Sequence, residues 1–264
     1  MCVGGYASAD SAEEHGGTTG FARGAPYKDA EVNISPKLLK RIPLFGGLNE
    51  EELKEIGSIA SPLQVGKGEI LFSDCEEANG LYIVLSGKVK LYKVSLEGKE
   101  QIIQVVSAPE AFAEASLFLK GSHPFYAETL SDCQLLFFPK RDFLPLIRKN
   151  SRLSANTAVT LSHYVKRYAS LIEDLSLKEV PSRIARYLLD LSVKQSKGGK
   201  GSVEVELDLT RSQLASRLGT MRETLSKNLA KMKAKRIVDV KKNRIIILNQ
   251  EALEKMASGL KARY

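Results

Sequence analysis

The chain has 264 residues, 43% hydrophobic and 27% charged, and its 39 Lys+Arg against 31 Asp+Glu give a formal charge of +8. That length suits one or two domains, while the lack of any apolar run near the roughly 18 residues of a spanning helix, or of a basic start leading into an apolar stretch, argues against a membrane-embedded or signal-directed protein. Trp is absent, and Cys2, Cys75 and Cys133 are too far apart for a local zinc knuckle, a local iron–sulfur cluster or a disulfide framework, so a reducing cytoplasm is expected.

Residues 1–34 are rich in Gly, Ala, Ser and Thr without periodicity and are expected to form a disordered tail. A short helix is expected from Ser35-Pro36 through Leu39. A second should start at Asn49, a capping residue followed by Glu50-Glu51-Glu52 at the positive end of the helix dipole, with Leu53, Ile56 and Ile59 inward. From Leu63 to Phe138 the pattern turns to short strands: 69–72, 81–85, 88–94, 101–106 and 135–138. Gly66-Lys67-Gly68, Ser86-Gly87 and Glu97-Gly98 separate them as turns. Strands at this spacing predict a small barrel or double-sheet roll, giving a first domain at 35–140.

From Lys140 to Leu175 the period becomes helical. Leu161, Tyr164, Val165, Tyr168, Leu171, Ile172 and Leu175 form an apolar stripe spaced by three and four along a long helix, 141–178. One edge of the stripe is assigned to the chain's own barrel and the other to a second subunit. Val180-Pro181 then breaks the helix, since Pro lacks a donor and disfavours helix at the residue before it.

The remaining segment, 179–264, carries the basic excess. Residues 178–264 hold 20 Lys+Arg and 9 Asp+Glu, a net of +11, against −3 for residues 1–177. Such asymmetry points to a polyanion partner. A helix is expected over Ser182–Val193, a mobile turn at Lys197–Gly201, and a strand over Val203–Leu209. Thr210 caps the next helix. Leu214 and Leu218 face a core, Ala215 is small where a second helix must pass, Gly219 turns the chain, and Leu225 closes the contact. This pattern predicts a helix-turn-helix. Lys235–Val240 and Arg244–Leu248 around Lys242-Asn243 supply a hairpin wing. The second helix presents Arg222, Glu223 and Lys227, side chains suited to guanine O6/N7 and cytosine N4. Thr210, Arg211, Thr224 and Ser226 suit phosphate contacts, which set register without reading bases.

Three segments, Leu81–Tyr92, Val180–Leu189 and Arg222–Lys227, resemble the CRP/FNR superfamily of bacterial transcription regulators, and the resemblance runs from about Leu44 to Leu248. It implies an α+β protein with a cyclic-nucleotide-binding-like β-roll as sensor, a long dimerisation helix and a C-terminal winged helix-turn-helix. Such a protein binds double-stranded DNA as a homodimer and, if an activator, touches RNA polymerase, with the Lys197–Ser202 loop in the position for that contact. Arg222-Glu223 matches the base-reading pair of the cyclic-AMP receptor branch, while Ser226-Lys227 is nearer the FNR arrangement. TTGTGA-like half-sites in an inverted repeat are therefore expected.

The sensor departs from the cyclic-AMP branch, whose members resemble one another in a Gly-Glu pair on the phosphate-binding loop, followed about ten residues later by Arg-Ser to hold the phosphate. Here Glu114 is present in Phe112-Ala113-Glu114-Ala115, but no Arg lies between Ala108 and Lys140, so a buried phosphodiester would lack its guanidinium and cyclic AMP is not expected. An iron–sulfur cluster is not expected either, since the tail offers only Cys2. The segment looks like the DNR/HcpR branch, which implies haem and a response to nitric oxide or nitrosative stress. The effector pocket would draw on Phe112, Glu114, Ser116, Phe118, Phe125 and Tyr126, with His163 and His123 as candidate iron ligands. No catalytic or nucleotide-binding fingerprint argues for an enzyme. The competing readings are an effector-independent DNA-binding protein whose roll is a scaffold, and a cyclic-nucleotide sensor.

Overall fold

The computed structural model describes residues 34–195 and 203–259. The expected disordered tail, with Cys2 and His15, falls outside them except for Ile34, as does the Lys197–Ser202 loop. Contacts divide the chain into two units. The first reaches Lys166 and the second begins at Arg167, with Lys99–Ile102 grouped in the second. The division falls inside the long helix, which the sequence reading treated as a segment of its own.

The first unit opens with α1 (Pro36–Leu39), capped by Ser35, and a 3-10 turn at Pro43–Phe45. In α2 (Glu50–Ser58), Asn49 accepts from the Glu52 amide at 2.9 Å while the Glu52 carboxylate accepts from the Asn49 amide at 2.7 Å, a reciprocal cap. Leu53 and Ile56 are buried and Ile59 is partly so. Eight strands follow: β1 (Ser61–Val65), β2 (Ile70–Phe72), β3 (Gly80–Ser86), β4 (Lys88–Val94), β5 (Glu100–Ser107), β6 (Ala111–Phe112), β7 (Tyr126–Thr129) and β8 (Cys133–Pro139). They form two four-stranded sheets, ordered β1-β8-β3-β6 and β2-β7-β4-β5.

Strand β3 of the first sheet is buried on both faces. Leu81 and Ile83 of β3 meet α1, α2 and the helix after β8, while Tyr82 and Val84 on the alternate face meet the interior of the roll. That explains why Leu81–Leu85 reads as an unbroken apolar run. Gly87 turns the chain from β3 to β4 at φ +88, and a Cβ there would press on the Cys133 sulfur at 2.5 Å.

The helical period after Lys140 is interrupted. It divides into α3 (Lys140–Lys149) and α4 (Ser151–Leu177) at Asn150, whose backbone is extended. The Asn150 carboxamide accepts from the Arg152 and Leu153 amides, each at 3.0 Å, and donates to Glu52 at 2.6 Å. A capping side chain thus restarts the helix where hydrophobic spacing alone runs straight through. Along α4, Leu161, Tyr164, Tyr168, Leu171 and Leu175 are half-buried, whereas Val165 and Ile172 expose 70% and 64% of their surface. Ala158, Val165, Ala169 and Ile172 line one exposed edge at heptad spacing.

The second unit contains α5 (Val180–Gln195), β9 (Val203–Glu206), α6 (Arg211–Arg217), α7 (Arg222–Ala234), β10 (Val238–Val240), β11 (Arg244–Ile247) and α8 (Gln250–Ala257). Val180-Pro181 opens α5, where the missing Pro donor costs nothing. The three strands are ordered β10-β11-β9, all antiparallel. Helix α8, which the sequence reading did not foresee, is capped by Asn249 and buries Leu253.

Candidate nucleic-acid interface and effector site

The helix pair is set from both ends. Thr210 accepts from the Gln213 amide at 3.3 Å and Gln213 returns the bond at 3.0 Å, closing a capping box on α6. Leu214, Ala215 and Leu218 of the first helix and Leu225, Leu229 and Met232 of the second are buried, so the pair closes on the apolar contacts expected of it. Gly219 makes the corner at φ +59. Arg183 of α5 donates to the Leu218 carbonyl at 2.6 Å, fastening that corner to the helix beneath it.

With Leu225 and Leu229 turned inward, Arg222, Glu223, Ser226 and Lys227 occupy the exposed side of α7. The three expected base-reading side chains therefore share one face at the start of the helix. The phosphate candidates divide. Ser226 is exposed beside them. Thr224 is half-buried and its carbonyl accepts from Asn228. Thr210 is exposed, with its hydroxyl oxygen engaged as a cap. Arg211 is half-buried, one Nη has no partner, and burial lowers its pKa from the ordinary guanidinium range.

Where α4 passes into α5, Asp174 accepts from Lys178 and Arg186, both at 2.9 Å, and Glu173 lies 3.1 Å from Lys178. These pairs brace the connection that the sequence reading marked only as a break.

In the first unit the six effector-pocket candidates do not converge on one space. Phe112 is fully buried in an aromatic layer, with ring centroids 5.2 Å from Tyr82 and 6.4 Å from Phe72. Phe125 joins that layer 6.2 Å from Phe72. Tyr126 does not, because strand alternation in β7 turns Ala127 inward and Tyr126 outward onto Tyr92, 5.3 Å away. Phe118 exposes 50% of its surface. Glu114 and Ser116 are fully buried on the 3-10 turn Glu114–Leu117. Tyr164 of α4 donates to the Glu114 carboxylate at 2.7 Å, and the Ser116 hydroxyl pairs with His123 Nδ1 at 2.9 Å.

His123 is 2% exposed and stacks on Phe72, with centroids 3.7 Å apart and planes at 13°. Burial, assisted by the charge of Lys140, pulls its pKa down to about 4, so the ring is neutral near pH 7. His163 is exposed on α4. A porphyrin does not fit these residues as packed. One face of the His123 ring is covered by Phe72, and the aromatic layer beside it is closed, leaving no space for a macrocycle. Cys75 lies exposed in a turn and Cys133 is buried at the start of β8. Sequence reasoning missed the His123 stack and the Tyr164 bond, because both join residues far apart in the chain with no spacing signature.

A two-sheet roll, a long helix and a helix pair with an exposed basic face define a ligand-binding-type domain joined to a DNA-binding one. The sequence matches the cyclic nucleotide-binding domain over residues 62–150 and the Crp-like helix-turn-helix domain over residues 182–256. It is 30% identical to the cyclic AMP receptor protein of Thermus thermophilus over 222 residues, covering 84% of this chain and all of that one. It is also 30% identical to the fumarate and nitrate reduction regulatory protein of Vibrio cholerae, covering 80% and 84% of the two chains. Among solved structures, a CooA mutant from Carboxydothermus hydrogenoformans shares the fold with a TM-score of 0.69 at 22% identity, over 83% of this chain and 95% of that one. The chain belongs to the CRP/FNR family of DNA-binding transcription regulators.

Proposed function

We propose that the protein binds inverted-repeat promoter sites with TTGTGA-like half-sites as a homodimer, in the cytoplasm, and that a conformational change in the β-roll adjusts that binding. The observation that carries this reading is the shared face of Arg222, Glu223 and Lys227 on a helix whose corner is held by Arg183. Arg222 suits guanine bidentately, Glu223 suits cytosine N4, and Lys227 reaches a further acceptor. Two such helices across a dyad read half-sites whose centres are about 34 Å apart. The exposed Val165 and Ile172 edge of α4 supports a two-helix seam, since burying it needs a second helix. Among the described residues, no helix is long and apolar enough to cross a membrane.

The test is a fluorescence-anisotropy titration at fixed salt against a symmetric inverted repeat and versions changed at the inner G·C pairs. Each changed pair should cost about 1–3 kcal/mol with the wild type and little with Arg222→Ala. Equal affinity for all duplexes would reject the base assignment.

A second reading, effector-independent binding with the roll as scaffold, draws support from the closed aromatic layer around Phe72, Phe112 and Phe125. Haem-mediated sensing of nitric oxide would require that layer to open and His123 to leave Phe72. Absorption spectra of the purified protein with and without added haem separate the two: a Soret band with DNA affinity that changes on nitric oxide favours sensing, and neither favours the scaffold. Contact with RNA polymerase follows only if the protein activates.

A further inference from the structure

We infer that Tyr164 is a positioning residue for DNA recognition, acting through Glu114 to tie the 3-10 turn of the β-roll to the rotational setting of α4. The inference rests on the reading above, in which a homodimer paired along α4 binds DNA.

The turn Glu114–Leu117 is held at two points. At its first residue, the fully buried Glu114 accepts from the Tyr164 hydroxyl at 2.7 Å, and the same oxygen of Tyr164 lies 3.1 Å from the Ala111 carbonyl just before the turn. At its third residue, Ser116 pairs with His123, whose ring lies flat on Phe72. Ala113, between β6 and the turn, sits at φ +65, a left-handed conformation unfavourable for a residue with a Cβ. Backbone held in that region persists only where its surroundings over-determine it. A strained residue therefore adjoins a turn that is tied at two points, one of them to the long helix.

The other end of the tether explains the consequence. Tyr164 and Val165 are neighbours on α4, about 100° apart around its axis. Tyr164 turns to the roll, while Val165 stands on the exposed edge with Ala169 and Ile172. Any shift of the turn that drags Tyr164 must rotate α4 and move Val165 with it. The hydrogen bond thus couples two arrangements of the turn to two settings of the seam, and any ligand with unequal affinity for those arrangements would act through it. A phenol that merely satisfied a buried carboxylate would stabilise the roll without affecting the seam.

The experiment uses the full-length chain with Val165→Cys as a cross-linking reporter, and with Cys2→Ser and Cys75→Ser so that Cys133, buried at the start of β8, is the one native thiol left. Tyr164→Phe removes one oxygen and preserves the ring. Glu114→Gln keeps an acceptor for the phenol, and Glu114→Leu does not. Cross-linking rate across the seam, DNA affinity for the inverted repeat and melting temperature are measured for each. Tyr164→Phe and Glu114→Leu should change both the cross-linking rate and the DNA Kd by about fivefold or more, as expected for a coupling of about 1 kcal/mol. Glu114→Gln, which keeps a weaker neutral acceptor, should fall between Glu114→Leu and the parent protein. The direction of the change identifies which state the bond holds. If Tyr164→Phe leaves both readouts within twofold, or if every variant lowers the melting temperature without moving either, the inference is overturned. Failure of the wild type to bind any duplex would instead overturn the DNA reading, and the cross-linking arm would still decide the coupling.

Discussion

Gly219→Ala tests the geometry of the helix-turn-helix corner. Gly219 sits at φ +59 between α6 and α7, where a Cβ costs about 1–2 kcal/mol in backbone strain. The new methyl would stand 2.5 Å from Leu175 Cδ2 and 3.0 Å from Arg183 Nη1, the atom that donates to Leu218. Moving a packed leucine and a bonded guanidinium adds about 1–3 kcal/mol, the usual cost of overpacking. The two contributions give about 2–5 kcal/mol, and at about 5 °C per kcal/mol for a unit of this size the second unit should melt about 10–25 °C lower. Displacing Arg183 also loosens the corner that aims α7, so DNA affinity should fall along with stability. Gly219→Asn separates the two causes, because asparagine enters the left-handed region more readily but brings the same Cβ contacts. Scanning calorimetry and anisotropy titrations on wild type, Gly219→Ala and Gly219→Asn give all the needed values. If Gly219→Ala melts and binds like wild type, the corner is neither strained nor crowded and the reasoning fails.

Three other outcomes are expected. The His123 pKa is lowered from 6.5 to about 4, so the unfolded chain binds the extra proton first on acidification: stability is full above pH 6.5 and falls by about 3 kcal/mol as the pH drops through about 4. Urea titrations of wild type and His123→Gln at pH 7 and pH 4.5 should show a smaller pH difference in the variant; an equal difference assigns the acid sensitivity elsewhere. Val165→Asp with Ile172→Asp places charges on the exposed edge of α4 and should convert dimer to monomer in analytical ultracentrifugation, whereas an unchanged sedimentation coefficient would place the interface off this edge. Asp174→Asn weakens the pairing with Lys178 and Arg186, and should cost about 1 kcal/mol and raise hydrogen exchange across 174–186; unaltered protection would mean the pairs contribute nothing.

Local signals carried far in this chain. The capping pair Asn49/Glu52, the strand Lys88–Val94 and the spacing of Thr210, Leu214, Ala215, Gly219 and Leu225 each act within a few residues, and each could be read before any tertiary contact was known. Long-range effects hid the rest. The helix restarts at Asn150 because its side chain caps the next turn and reaches Glu52, a tie across nearly a hundred residues, while apolar spacing continues unbroken. β7 has four residues and alternates cleanly, yet which of its faces meets the aromatic layer is set by its pairing with β2 and β4, far away in the chain. Ala113 gives no sequence sign of its left-handed backbone, and α8 is short, its signal confined to the Asn249 cap and a single buried residue, Leu253.

The anchored start of α4 makes that helix a lever. Asn150 is fixed by two amides and a carboxylate, and from there the helix runs 27 residues, about 40 Å at 1.5 Å per residue. Tyr164 lies roughly halfway along. Pivoting about the Asn150 end, a sideways step of about 1 Å at Tyr164 falls to about 0.5 Å at the buried Thr157. Movement of the turn would therefore be felt at Tyr164 and fade toward the cap, leaving the packing around Thr157 nearly undisturbed.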